Sequence, residues 1–170
     1  MFTRRLSHCT RSLYHNSINH FSTTTPLSTC IVGSGPSGFY TAKYLLKKVP
    51  DIRISIVDEL PTPFGLVRYG VAPDHADTKN VIHDFTDNVL SDDRVSYFGN
   101  VKVNETVSLR ELQSVYDSVV LSYGANSDRR LNIEGEDLKG VYSSRQFVNW
   151  YNGHPHFVDT ITDADFECNA

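Results

Sequence analysis

The first fifty residues contain no aspartate and no glutamate; the first acid is Asp51. Across the 170 residues there are only three cysteines, one methionine and one tryptophan, and no Cys-x-x-Cys pair. That spacing excludes a zinc knuckle and a dithiol redox centre. Cys9 and Cys168 lie near the two ends, and Cys30 sits in an apolar run where a thiol behaves as a small hydrophobe. His154 and His156 flank Pro155 without further ligands beside them. No metal site is therefore expected. No apolar stretch approaches the roughly 18 residues of a membrane-spanning helix. No basic cluster of the kind that tracks a phosphate backbone is found either, so nucleic acid is not an expected partner.

The charge is unevenly placed. Residues 1–50 carry six Lys or Arg and no acid, whereas the remaining residues carry ten bases against twenty acids. Residues 1–25 hold three arginines and nine Ser or Thr. Wound as a helix at about 100° per residue, Phe2, Leu6, Cys9 and Leu13 share one face and Arg4 and Arg11 the other. A basic, amphipathic, Ser-rich and acid-free start is the composition of an organelle import signal, and it lacks the apolar core of a secretory one. Residues 1–25 are expected to be a mitochondrial targeting segment.

The body opens on a Gly-rich turn between a strand and a helix. Ser28–Val32 is a short, partly β-branched run that reads as a buried strand. Gly33-Ser34-Gly35-Pro36-Ser37-Gly38 follows at once, and residues 39–48 read as a helix with Tyr40 and Leu45 on its apolar face, stopped by Pro50. Arg53–Val57 is a second strand, ended by Asp58, which lies 20 residues after Gly38. A lone GxGxxG is weak evidence, but strand, glycine turn, helix, strand and acid in a 30-residue unit meet the full dinucleotide-binding fingerprint. Gly33 serves the tight turn, Gly35 the backbone's approach to a pyrophosphate, and Gly38 the packing of helix on strand. The helix N-terminus offers unpaired N–H groups to the phosphates, and Asp58 accepts from ribose hydroxyls. Asp58 and Glu59 would repel a ribose 2′-phosphate, so the unit fits FAD or NAD and fits NADP poorly.

Residues 60–75 follow no strand or helix period. Pro61, Pro63 and Pro73 interrupt them, and Phe64, Leu66, Val67, Tyr69 and Arg68 make them apolar and aromatic with one cation. Two readings stand: an ordered loop under a flat ring system, or a surface loop with its own small cluster.

Further along, residues 78–90 read as a helix with Val81, Ile82, Phe85 and Val89 inward, and 95–103 as a strand broken at Gly99-Asn100. Ser108 and Glu111 form a capping box on a helix over 109–115. Residues 117–123 read as a buried strand ending at Gly124, and 142–150 as a helix with Phe147 and Trp150 in the core.

Four segments, GSGPSGFYTAKYLL, PFGLVRYGVAPDH, VVLSYGA and FVNWYNG, together resemble the FAD-binding part of the mitochondrial NADPH:adrenodoxin oxidoreductase family. PFGLVR followed by GVAPDH is far more specific than the glycine fingerprint. The resemblance implies that Gly33, Ser34, Gly35, Pro36, Ser37 and Gly38 line the FAD pyrophosphate. It also implies that Asp58 holds the ribose, that Leu66 meets the flavin half, that backbone at Val103 meets the adenine, and that Gly124 lies near the cofactor. Ser37 stands where the family has Ala, and Asp58 where it has Glu. His75 is the one residue with the chemistry of an acid–base catalyst, and a structural loop histidine reads equally well there. No redox dithiol is present to suggest an exit through a disulfide.

The expected fold is α/β, a Rossmann-like doubly wound parallel sheet over residues 26–153, incomplete at its C-terminal end. Residues 154–170 are expected to be a linker toward an NADPH-binding domain outside this chain, since only one GxGxxG is found. The resemblance implies an oxidoreductase of the mitochondrial matrix that passes electrons from NADPH through FAD to a ferredoxin- or adrenodoxin-type iron–sulfur protein, with no transmembrane segment and a peripheral place at the inner membrane. A truncated FAD-binding module without turnover, and a reductase like the small subunit of glutamate synthase, are the alternatives.

Overall fold

The computed structural model describes residues 25–125 and 127–162. The expected targeting segment, save Thr25, and the end of the expected linker (163–170) lie outside the described residues.

Four strands of the described residues form one parallel sheet: β1 (Ser28–Val32), β2 (Arg53–Val57), β3 (Val95–Phe98) and β4 (Ser118–Leu121), in the order β3-β2-β1-β4. The register pairs Ile31 with Ile56 on one side and with Val120 on the other. Among the described residues, six helices connect and flank them: α1 (Pro36–Lys48), α2 (Gly65–Tyr69), α3 (Ala76–Lys79), α4 (Val81–Phe85), α5 (Leu109–Val115) and α6 (Ser144–Tyr151). A π-helical turn, Thr86–Leu90, continues α4.

Strand alternation explains why the sheet is covered on both faces. Ile31, Ile54 and Ile56 point to one side, where they pack with Phe39, Ala42 and Leu46 of α1 and with Phe85 and Val89. Cys30, Val32 and Val57 point to the other, where Leu112 of α5 closes a smaller cluster. Burial holds the Cys30 thiol up to about 11, which keeps it protonated and inert. The doubly wound Rossmann-like sheet is thus present. Among the described residues no helix is long and apolar enough to cross a membrane.

Several local expectations shift. The inward face of α1 is Phe39, Ala42 and Leu46, while Tyr40 is exposed and Leu45 only half-buried. The expected single helix over 78–90 starts at Ala76 and changes pitch. His83 N–H bonds Asn80 O, three residues back, and the Thr86 hydroxyl donates to Ile82 O at 2.8 Å, competing for a helix carbonyl. The third strand ends at Phe98, because Asn100 turns into the left-handed region at φ 58° and takes 101–103 out of the sheet. The loop 60–75 contains the short helix α2. β4 is half-exposed rather than buried, with Leu121 51% accessible and Tyr123, past its end, 63%, since among the described residues it pairs with β1 alone. Phe147 also stays exposed, leaning on Trp150 and Tyr151 of its own helix. Both capping boxes, Ser108–Glu111 and Ser143–Gln146, are closed by reciprocal hydrogen bonds.

Within the stretch expected as a linker from residue 154, the His154 ring packs on Tyr69 at 4.8 Å, and Ile161 is 2% exposed.

Outside the core, carboxylates tie segments together. Arg94 donates to both oxygens of Asp92 and, from the same guanidinium, to the carbonyls of Leu46 and Pro50. Its hydrogen bonds lower Asp92 to about 2. Asp117 accepts from the Ser28 N–H and hydroxyl, both at 2.8 Å, which tie the start of β1 to the lead-in of β4 and lower this carboxyl too. Both groups have folded values below their unfolded ones. Their stabilisation is therefore complete above the ordinary carboxylate value and is lost as pH falls through the folded value. We expect stability to drop between about pH 4 and about pH 2, and Asp92→Asn to lessen that drop while lowering stability at pH 7. Urea melts at stepped pH check this.

Candidate functional site

The glycine turn is built by sterics. Gly33 sits at φ +103°, and a Cβ there would lie 2.5 Å from Ser122 O. A Cβ on Gly38 would lie 2.2 Å from Gly33 O, so α1 packs against the turn as closely as backbone allows. Gly35 is different: nothing lies within 4 Å of where its Cβ would be. Gly35 is the N-cap of α1, Pro36 opens the helix, and no side chain caps the first turn. The result is an open cradle with helix N–H groups facing it and no side chain of the described residues filling it, which fits a pyrophosphate.

Beyond the carboxyl ends of β1, β2 and β4 lies a cavity of about 290 Å³. It spans the point where strand order reverses, the usual ligand crevice of open α/β sheets. Gly33, Asp58 and Val103 of the sequence-expected residues line it, and Glu59, Lys102, Asn104 and Tyr123 join them. Glu59 was read beside Asp58 as an acid disfavouring a 2′-phosphate, whereas Lys102, Asn104 and Tyr123 were not foreseen, because they arrive from elements whose positions only the fold sets. The wall at 101–104 is held because Val101 N–H bonds Asp58 O at 2.8 Å and Asn104 turns left-handed at φ 72°.

Asp58 stands at the rim with its carboxylate already engaged. Oδ2 accepts from the Ser34 N–H and hydroxyl, both at 2.6 Å, and Oδ1 from Leu60 N–H at 2.9 Å. Ser34 is fully buried, so its hydroxyl faces the protein and not the cradle. The acid therefore locks the turn as well as facing the cavity. Beneath it, Tyr97 OH donates to Leu60 O at 3.2 Å, and burial raises this phenol to about 12, so it stays a neutral donor.

The loop after β2 folds back onto the glycine turn. Phe64 N–H bonds Ser34 O at 3.0 Å, and a Cβ on Gly65 would lie 3.6 Å from the Gly35 Cα. Phe64 takes φ +84°, a costly conformation for a side-chain-bearing residue. It is held there by packing: its ring lies 5.0 Å from Phe39, and Arg68 sits over it at 5.5 Å. This places Leu66, 66% exposed, on α2 beside the cradle. Gly124 (φ +72°) lies exposed past β4, and Pro36 and Ser37 open α1. His75 is exposed and bonded to Asp74 at 2.9 Å, in no buried constellation. The cavity thus gathers the turn and the acid. The cradle and Leu66 form a second, open part next to it.

The sheet order, glycine turn and switch-point cavity define a Rossmann-like dinucleotide-binding domain. A family profile described as an NAD(P)-binding Rossmann-like domain matches residues 31–96. Within that class, the chain is similar to NADPH:adrenodoxin oxidoreductases. It is 54% identical to the mitochondrial NADPH:adrenodoxin oxidoreductase of Homo sapiens over 154 residues, covering 89% of this chain and 30% of the relative. It is 54% identical to that of Arabidopsis thaliana over 138 residues, 81% and 28% respectively. Among solved structures, FprA, a Mycobacterium tuberculosis oxidoreductase, superposes with a TM-score of 0.74 at 47% identity, covering 79% of this chain and 30% of FprA. FprA has also been solved in complex with NADPH. The chain spans about a third of the length of the curated relatives it matches.

Proposed function

We propose that this chain binds FAD and forms the flavin-holding part of an oxidoreductase that carries electrons from NADPH to a ferredoxin- or adrenodoxin-type iron–sulfur protein in the mitochondrial matrix. The observation that carries it is the fold-back of PFGLVR onto the glycine turn, through the Phe64–Ser34 hydrogen bond and the Gly65–Gly35 approach. A plain dinucleotide site needs the turn alone. A loop with an exposed apolar side chain at Leu66, held against that turn by a strained Phe64, suits a cofactor whose second half is a large flat ring.

Each part of the chain has a task in this reading. The open face at Gly35 and the start of α1 receive the pyrophosphate. Asp58 and Glu59 face the ribose and disfavour a 2′-phosphate, which supports FAD over NADP in this unit. The walls at Val103 and Tyr123 take the adenine end. Leu66 shields one side of the ring system from water. When bound, the flavin supplies the hydride- and electron-transfer chemistry, and the protein supplies position and field. NADPH is the co-substrate in this reading, at a site outside the residues described above.

Titration of the purified chain with FAD, followed by flavin fluorescence, tests the binding half. We expect saturable binding of one FAD per chain that excess NADP⁺ does not displace. No binding, or displacement by NADP⁺, would sink the reading. Reduction of an adrenodoxin-type ferredoxin by NADPH in the presence of the chain tests the second half; FAD binding without turnover would confine the chain to holding the cofactor.

A further inference from the structure

Residues 68–71 depend on side chains from outside their own segment. α2 is only five residues long, so its last carbonyls have no helical N–H to accept. Asn152 meets two of the carbonyls in this stretch. Its amide nitrogen donates to Tyr69 O at 2.9 Å and to Val71 O at 3.1 Å, across more than eighty residues of sequence. Lys79 completes the set: its ammonium donates to Arg68 O and to the Asn152 Oδ1, both at 3.4 Å. Asn152 is itself fixed, as the C-cap of α6 with its N–H on Val148 O. The His154 ring packing on Tyr69 makes a further tie between the two segments.

We propose that Asn152 is a positioning residue for cofactor binding: it clamps the C-terminal end of α2 and so sets where Leu66, one turn earlier, meets the bound cofactor. This rests on the reading that Leu66 faces the flavin half of FAD. The chemistry singles out an amide. Both its N–H groups point at carbonyls and its oxygen at a cation, so Asn152→Asp keeps the shape while setting an anionic oxygen against two carbonyl oxygens. Alanine removes the clamp without adding repulsion.

The test uses the full 170-residue chain and two readouts. The first, without FAD, is amide hydrogen exchange over residues 65–71, with β1 and β2 as internal reference. The second is FAD affinity together with the fluorescence of the bound flavin. For Asn152→Asp we expect exchange in 65–71 to rise about tenfold, strand protection to hold, FAD affinity to fall about tenfold, and the flavin's emission to change as its apolar cover shifts. Should the aspartate variant lose strand protection as well, Asn152→Ala decides, with the same signs and smaller size. Faster exchange with unchanged affinity and unchanged flavin emission would overturn the proposal, leaving Asn152 a purely structural tie. Unchanged exchange would overturn it also. A wild-type chain that takes up no FAD overturns the underlying reading instead, and does so before any variant is made.

Discussion

Gly35→Val should abolish useful FAD binding, weakening it about 100-fold or more, while the fold survives. The backbone at Gly35 is extended in ψ with φ −78°, which valine adopts freely. Its Cβ would meet nothing within 4 Å. The cost to the protein is limited to a poorer N-cap, about 1 kcal/mol or less, a few degrees of melting temperature. The cost to the ligand is large because the isopropyl group fills the space in which backbone must approach the pyrophosphate. Gly38→Val is the contrasting control. There the Cβ would lie 2.2 Å from Gly33 O, so the same substitution three residues on should unfold the domain rather than block a ligand. Thermal melts and FAD titrations of the two variants side by side separate a ligand-facing glycine from a packing glycine. If Gly35→Val binds FAD as the wild type does, the cradle is not the binding surface.

Phe39→Ala is expected to cost about 3–5 kcal/mol. Phe39 is fully buried, stacks on Phe85 at 4.9 Å and meets Phe64 in a tilted contact at 5.0 Å. A cavity at its position would loosen two things at once. Phe85 anchors α4 against the sheet, and Phe64 keeps its left-handed backbone through ring packing together with its N–H bond to Ser34 O. With that packing weakened, Phe64 can relax out of its strained conformation and carry the Phe64–Leu66 segment with it. The variant should therefore show a lower urea midpoint, and FAD affinity should fall even under conditions where the protein remains folded. A loss of stability with undiminished FAD affinity would mean that the loop is held by something other than this aromatic stack.

Both predictions bear on how far the site could be read from residues alone. The strand–turn–helix–strand from Ser28 to Val57 was legible because its causes are local. A short β-branched apolar run, three spaced glycines and a terminating acid act within thirty residues. The capping box at Ser108–Glu111 was legible for the same reason, since its partners lie three residues apart. The helix over 78–90 was legible in its inward face but not in its pitch, because Thr86 and Ser91 divert carbonyls that apolar spacing does not register. The burial of β4 was misjudged because an apolar run looks the same at the middle and at the border of a sheet. Phe147 was misjudged because an aromatic side chain can lean on its own helix.

The amino-acid sequence by itself determined the turn, the order of elements along the chain and the family likeness, all of which follow from spacing and residue type. Tertiary structure alone decided the rest. It turned Ser34 inward onto Asp58 and made that acid a lock as well as a ligand-facing group. It brought Lys102, Asn104 and Tyr123 around one cavity. It also set Asn152 on carbonyls more than eighty residues away. Which distant backbone group a polar side chain meets depends on how the helices pack on the sheet, and no local periodicity encodes that.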